Sequence, residues 1–188
     1  MNLPNILTIS RFVLTVLFIY FIMQAGFISA VIAAVLFGLA SLTDYFDGYY
    51  AKKYSLITNF GKIMDPVADK FLILSAFFIF MKMDIVVGWM VWVICAREVI
   101  VTAMRLWAMK TGAVLAAEQA GKVKTVFQIV TILTILAFII LQQSPLYLQT
   151  VFGILSWFQG IYILMVLTVG ITLFSGVACL WNNRKNFF

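Results

Sequence analysis

The sequence has no histidine and few charged residues, with seven acidic and 13 basic side chains among 188. The absence of histidine removes the commonest general base and the usual zinc ligand, so acid–base chemistry falls to carboxylates, lysine or tyrosine. The two cysteines, Cys95 and Cys179, lie in apolar stretches and resemble small buried hydrophobes rather than a metal pair or a disulfide framework. No basic segment precedes the first apolar run, so we expect no secretory signal.

Apolar runs make up most of the chain, in which 64% of residues are hydrophobic and 11% are charged, with a mean hydropathy of +1.09. A soluble domain is roughly 45–50% apolar and about 25% charged. The composition therefore indicates an all-α, polytopic membrane protein. Its length suits a single transmembrane catalytic domain that covers residues 1–188.

The apolar runs predict six transmembrane helices. The 32 uncharged residues between Arg11 and Asp44 are too many for one span of about 20 residues, and Ala25-Gly26 favours a turn between two helices. The six predicted helices cover about residues 6–24, 28–50, 60–82 and 86–110, a segment from Gly121 to just before Gln142, and a last segment that ends near Trp181.

Positive charge is strongly biased to one side of this six-helix arrangement. Because lysine and arginine mark the cytoplasmic side, we predict cytoplasmic N- and C-termini and a multi-pass protein of the cell membrane. Only Lys82 falls on the other side; the cytoplasmic set is Arg11, Lys52, Lys53, Lys62, Lys70, Arg97, Arg105, Lys110, Lys122, Lys124, Arg184 and Lys185.

Four of the seven acidic residues lie within one short segment, residues 44–69. Asp44 and Asp47 are three residues apart on the second predicted helix, and Asp65 and Asp69 are four apart on the third, so each pair lies on one helix face. Carboxylate oxygens are the ligands that hard divalent cations prefer. The spacing predicts a site for one or two divalent ions that also bind substrate phosphates. The alternative is a set of solvated interfacial charges beside neighbouring lysines.

This segment closely resembles the signature of the CDP-alcohol phosphatidyltransferases, D-x-x-D-G-x-x-A-R-x8-G-x3-D-x3-D. Every fixed position matches except Lys52, where the family usually has arginine. The flanks resemble the phosphatidylglycerophosphate synthase branch, and the likeness covers most of residues 2–128. These flanks are Asn2–Arg11, Thr58–Lys62, Asp65–Lys70, Arg97-Glu98 and Gly121–Gln128.

The resemblance implies a six-helix, usually dimeric membrane fold whose active site faces the cytoplasm. It implies transfer of a phosphatidyl group from CDP-diacylglycerol to sn-glycerol 3-phosphate, giving phosphatidylglycerophosphate and CMP. The acceptor hydroxyl attacks the β-phosphorus. By this likeness Asp44, Asp47 and Asp65 hold two metal ions, Mg²⁺ or Mn²⁺, and Asp69 is the general base and a further metal contact.

The resemblance also implies two substrate-binding groups. The expected CDP-diacylglycerol residues are Asn5, Thr8, Gly48, Ala51, Lys52 and Gly61. The expected glycerol-phosphate residues are Arg97, Arg105, Lys122, Lys124, Thr125 and Gln128. Single residues also have structural alternatives, since Asn5 and Thr8 suit helix capping, Glu98 can offset Arg97, and Arg105 can snorkel.

Other functions compete with this interpretation. A family member could use inositol phosphate, serine or a phospholipid as acceptor, although the basic group favours a phosphorylated one. A small cation transporter would also need intramembrane carboxylates, but these lie toward one membrane face and no paired broken helices are predicted. A non-enzymatic scaffold would not need four carboxylates.

Overall fold

The computed structural model describes the backbone of residues 3–54, 59–111, 119–144 and 151–183. Side chains are described for residues 9–43, 67–68, 70–104, 107–108, 121–144 and 157–182. Within the described backbone every regular element is helical, which confirms the all-α prediction.

Six helices follow one another along the described chain: α1 (Leu3–Ile22), α2 (Phe27–Tyr54), α3 (Asn59–Lys82), α4 (Gly88–Thr111), α5 (Gln119–Gln143) and α6 (Val151–Asn183). Two bounds differ most from prediction. Helix α1 begins three residues earlier, because a proline in the first turn, Pro4, suits a helix start. Helix α2 continues four residues beyond its predicted end, because its polar last turn still consists of residues that a helix accepts.

Two tight turns join consecutive helices at one end of the bundle. Gly26, between α1 and α2, has φ +140°, a conformation that side chains disfavour, and its N–H donates to Oε1 of Gln143 at 3.2 Å. The α3–α4 turn contains Asp84 at φ 57°, a left-handed conformation that aspartate tolerates. The predicted turn at Ala25-Gly26 is therefore confirmed, and it lies beside the end of α5.

The helices form two groups, one packed around α1 and the other around α6. Helix α1 contacts both α2 and α3, while α6 contacts both α4 and α5. Helix α5 also contacts α2 and α3, and α3 contacts α4, so these contacts join the two groups of helices. The helices that carry the four aspartates are thus held together by α1 as well as by their own contact.

An apolar half occupies the end of the bundle where α1, α3 and α5 finish and α2, α4 and α6 begin. Its core is aromatic and aliphatic, and it is fully buried at Phe18, Phe37, Phe77, Phe80, Ile94, Ile135 and Leu136. Phe18 and Phe37 lie 5.6 Å apart between ring centroids, a tilted aromatic pair that joins α1 to α2.

A charged half occupies the opposite end of the same bundle. Its buried polar side chains come from the first half of α1, the middle of α4, the first half of α5 and the second half of α6. They include Arg11, Glu98, Lys124, Gln128, Thr172 and Ser175. Since unpaired charge is expensive in such surroundings, this half is where a functional site is expected.

Two helical stretches in the described part of the chain are long and apolar enough to cross a membrane, Gly121–Gln143 and Trp157–Asn182. Shorter apolar helical stretches cover Ile9–Ile22 and Phe27–Thr43. These stretches agree with a membrane protein.

Candidate functional site

The four aspartates lie on the two helices predicted to carry them. Asp44 and Asp47 are in α2, and Asp65 and Asp69 are in α3. Their side chains are outside the described residues, so the convergence of the carboxylates stays a prediction. The donor set itself is four carboxylates, whose hard oxygens suit a divalent cation such as Mg²⁺ or Mn²⁺. Within the described part of the chain, no group of three or more histidine, cysteine, aspartate or glutamate side chains comes close enough together to hold a metal ion.

Glu98 of α4 is the centre of a buried ionic cluster. Its Oε1 accepts a hydrogen bond from Nζ of Lys124 at 2.5 Å and one from Nη1 of Arg97 at 3.3 Å. Nε2 of Gln128 approaches the same oxygen at 3.5 Å, and Nζ of Lys70 lies 4.0 Å from Oε2. The Glu98 side chain is only 3% exposed, so one buried carboxylate joins α3, α4 and α5.

Arg97 extends this cluster to α6. Its Nη2 donates a hydrogen bond to Oγ of Ser175 at 2.8 Å, and the side chain is 9% exposed. A guanidinium carries five N–H donors. Glu98 and Ser175 accept one each, and Nε has no hydrogen-bond partner among the described residues. Arg97 therefore has N–H donors that Glu98 and Ser175 do not use.

Among the described residues, the cluster has more positive than negative charge. Lys70, Arg97 and Lys124 are the three described cations within 4.0 Å of Glu98, and Glu98 is the one described anion between them. A buried charge needs a compensating partner, because removing it from water costs several kcal/mol. A single carboxylate balances one of the three cations. The arrangement is thus suited to an incoming anion.

The predicted glycerol-phosphate residues divide into three groups. Arg97, Lys124 and Gln128 meet at Glu98. Thr125 donates its hydroxyl to the Gly121 carbonyl of its own helix at 3.2 Å, and Lys122 is exposed. The remaining residue, Arg105, lies in α4 with its side chain outside the described residues.

The predicted CDP-diacylglycerol residues lie on three helices that contact one another. Asn5 and Thr8 are in the first half of α1. The three residues of α2 are Gly48, Ala51 and Lys52, and Gly61 is in the first turn of α3. The side chains of this group lie outside the described residues. Because α1 packs against both α2 and α3, the six positions lie on helices of one packed unit.

Three participants were not among the sequence-predicted site residues. Lys70 directly follows Asp69 and approaches Glu98, which links the aspartate helix to the ionic cluster. Ser175 holds Arg97 from α6, a helix for which the sequence indicated only hydropathy. Glu98 itself, which the sequence offered only as a partner that offsets Arg97, is the third. A charged residue in an apolar run was the available signal for Glu98, whereas Ser175 had none.

The sequence model of the CDP-alcohol phosphatidyltransferase family matches residues 1–177 of the chain. The match spans the aspartate segment, the Glu98 cluster and most of α6. It therefore covers both parts of the candidate site.

Individual relatives are similar over most of their length. A Bacillus subtilis protein named CDP-diacylglycerol–glycerol-3-phosphate 3-phosphatidyltransferase is 43% identical over 148 residues, which are 72% of this chain and 76% of the relative. A Rickettsia felis protein of the same name is 37% identical over 156 residues, 83% of this chain and 86% of the relative. A Salmonella paratyphi A protein of the same name is 33% identical over 137 residues, which are 70% of this chain and 74% of the relative.

Proposed function

The chain belongs to the CDP-alcohol phosphatidyltransferase family, and on that premise we propose that it moves the phosphatidyl group of CDP-diacylglycerol to sn-glycerol 3-phosphate. The products are phosphatidylglycerophosphate and CMP, which makes the chain a transferase of phospholipid biosynthesis. The names of the relatives support both substrates. The observation that carries the choice of acceptor is the cationic excess around Glu98.

A phosphate monoester dianion matches this excess of charge. Three cations surround Glu98, so a ligand with two negative charges neutralises the set. Arginine presents a planar fork that fits phosphate oxygens, and lysine adds a point charge. Serine carries no phosphate and would leave the charges unbalanced, whereas inositol phosphate remains an alternative acceptor.

The aspartates supply the second half of the site. Asp44 and Asp47 lie roughly two to three turns before the end of α2, and Asp65 and Asp69 lie roughly two to three turns after the start of α3. The short connection between these helices favours an antiparallel hairpin, which would set both pairs at one depth. Matched depth supports the convergence of the four carboxylates.

Members of the family generally depend on a divalent metal. We assign the metal to Asp44, Asp47, Asp65 and Asp69, with two ions of Mg²⁺ or Mn²⁺. When bound, such ions neutralise the pyrophosphate and stabilise the attacking and leaving oxygens. The small residues Gly48, Ala51 and Gly61, with Asn5, Thr8 and Lys52, form the surface on which the cytidine and phosphates rest.

The reaction is one displacement at phosphorus. The acceptor hydroxyl forms a bond to the β-phosphorus, the bond from that phosphorus to the CMP oxygen breaks, and CMP leaves with the electron pair. Asp69 takes the hydroxyl proton as general base. Lys70 directly follows Asp69 in the sequence, and its Nζ lies 4.0 Å from Oε2 of Glu98. The residue next to the proposed base is therefore a member of the cluster that binds the acceptor phosphate.

The membrane arrangement completes the proposal. All six helices cross the membrane as one catalytic domain, and both termini and the active site face the cytoplasm. The bias of lysine and arginine supports this orientation. The protein lies in the cell membrane, and we propose that it is a homodimer.

The direct test measures CMP release from CDP-diacylglycerol by the purified protein with a panel of acceptors. Glycerol 3-phosphate should give the fastest release, and activity should require added Mg²⁺ or Mn²⁺. Faster release with inositol phosphate, serine or a phospholipid would reassign the acceptor. Movement of a metal cation across the membrane of vesicles that contain the protein, without CMP release, would instead support a transporter.

A further inference from the structure

Two residues of α6 form the surface against which Arg97 lies. Ser175 accepts a hydrogen bond from Nη2 of Arg97 at 2.8 Å. The next residue, Gly176, lies beside the aliphatic stem of the same side chain. A Cβ placed on Gly176 would be 3.1 Å from Cγ of Arg97 and 3.4 Å from its Nε. Both residues therefore limit the positions that the guanidinium can take.

The close approach at Gly176 differs from the other described glycines of α6. A Cβ on Gly160 or on Gly170 would meet no atom within 4 Å. Only at Gly176, among these three, would a methyl group press on another side chain, and that side chain is the arginine of the ionic cluster. The absence of a side chain at this position leaves the space that the Arg97 stem occupies.

Ser175 and Glu98 hold Arg97 from two directions. Glu98 binds Nη1 from the adjacent position on α4, and Ser175 binds Nη2 from α6. Both terminal nitrogens of the guanidinium are thus anchored, and its plane is fixed. A guanidinium fixed in this way loses less conformational entropy when it binds phosphate than one free to rotate.

We infer that Ser175 and Gly176 are positioning residues for the acceptor: Ser175 orients the Arg97 guanidinium, and Gly176 leaves room for its stem. This inference rests on the proposed function, in which Arg97 binds the phosphate of glycerol 3-phosphate. It gives α6 a role in substrate recognition although α6 supplies none of the predicted contacts to substrate.

The test compares two variants with two matched controls on the same helix. Ser175→Ala and Gly176→Ala should each raise the KM for glycerol 3-phosphate about tenfold, the size expected when a hydrogen bond to a charged group is lost or displaced. The KM for CDP-diacylglycerol should change less than about twofold, which a general loss of packing would not produce.

The two controls make comparable changes at positions of α6 for which the described residues show no hydrogen bond or close Cβ contact with Arg97. Gly170→Ala adds the same methyl group where a Cβ meets nothing within 4 Å. Thr172→Val removes a buried hydroxyl that has no hydrogen-bond partner among the described residues. Both controls should keep the KM values of both substrates near wild type. An equal rise in both KM values in Ser175→Ala would overturn the positioning role.

Arg97→Gln separates failure of this inference from failure of the proposed function. An unchanged KM for glycerol 3-phosphate in Arg97→Gln would remove Arg97 from the acceptor site. A raised KM in Arg97→Gln, with Ser175→Ala and Gly176→Ala equal to their controls, would overturn the inference alone. Should Gly176→Ala not fold, the double variant Arg97→Gln/Ser175→Ala decides. The Ser175 effect should vanish in it, and an independent further rise would contradict the inference.

Discussion

The two halves of the helix bundle bury different chemistry. The apolar half packs phenylalanine, isoleucine and leucine side chains, with Phe77 and Phe80 of α3 fully buried. The charged half, only a few turns away on the same helices, buries Glu98 and Lys124. Lys70 and Phe77 are two turns apart on α3, so one helix contributes to both halves.

The difference indicates which half stabilises the fold and which half carries the reaction. Close packing of apolar side chains holds helices together even where lipid surrounds them. A buried ion pair contributes little net stability, and removing one partner is costly. The charged half is therefore an arrangement that packing alone would not favour, and we attribute it to phosphate binding.

The largest effect should come from the carboxylates. Asparagine at Asp44, Asp47, Asp65 or Asp69 should reduce CMP release to background, because under the proposed function each substitution removes a charge that holds the metal or accepts the proton. The protein should still insert and fold. Chelation of the wild type with EDTA should have the same effect, reversed by added Mg²⁺ or Mn²⁺.

The control is the same substitution at the opposite end of the bundle. Asp84 lies in the α3–α4 turn at φ 57°, which asparagine also tolerates. Asp84→Asn should keep wild-type CMP release. Activity of the wild type that survives thorough chelation would contradict the metal site.

Glu98→Gln should have the next largest effect and should damage both stability and acceptor use. It leaves Lys124 and Arg97 without their carboxylate, and breaking a buried ion pair costs about 3–5 kcal/mol. Thermal unfolding in detergent would report the loss of stability, and the KM for glycerol 3-phosphate should rise.

A second substitution separates these two effects. Glu98→Gln/Lys124→Met removes the uncompensated ammonium along with the carboxylate, so the thermal midpoint should recover toward wild type. The KM for glycerol 3-phosphate should stay high, because a cation of the cluster is gone. Recovery of both the thermal midpoint and the KM for glycerol 3-phosphate would show that the cluster stabilises the fold and does not bind the acceptor.

A substitution in the apolar half should affect stability alone. Phe77→Ala leaves a cavity in a fully buried site and should cost about 3–5 kcal/mol of unfolding free energy. The folded fraction should keep wild-type KM values for both substrates. Phe174→Ala, at a side chain that is 72% exposed, is the control and should leave the thermal midpoint unchanged. A selective rise in acceptor KM in Phe77→Ala would remove the functional distinction between the halves.

Lys52, the one departure from the family signature, should give the smallest of these effects. If it binds the pyrophosphate as a point charge, Lys52→Ala should lower kcat/KM for CDP-diacylglycerol roughly 10- to 100-fold, the equivalent of about 1.5–3 kcal/mol. Lys52→Arg should keep most activity. Lys53→Ala is the control, since consecutive positions on a helix such as α2 are about 100° apart around its axis. Equal small losses at both positions would transfer the role to another basic residue, such as Arg11 or Lys62.

Hydropathy and turn residues predicted the helices well, because long apolar runs and Gly26 are local signals. The aspartates and the Arg97–Lys124 group were also identifiable, since charge in an apolar chain is conspicuous. The roles of Ser175 and Gly176 were not, because small residues are common in any transmembrane helix. Ser175 and Arg97 are 78 residues apart, and no local periodicity relates them. Glu98 was interpreted only as a neighbour of Arg97, whereas it also binds Lys124 of α5.

The central claim is that the excess positive charge around Glu98 binds the phosphate of the acceptor. The most direct measurement is the ratio of CMP release with glycerol 3-phosphate to release with glycerol, at saturating CDP-diacylglycerol, in the wild type and in Lys124→Met. The wild type should strongly prefer glycerol 3-phosphate. Loss of Lys124 should reduce that preference roughly 10- to 100-fold, through the phosphorylated acceptor alone. An unchanged ratio, with both rates lowered alike, would contradict the claim.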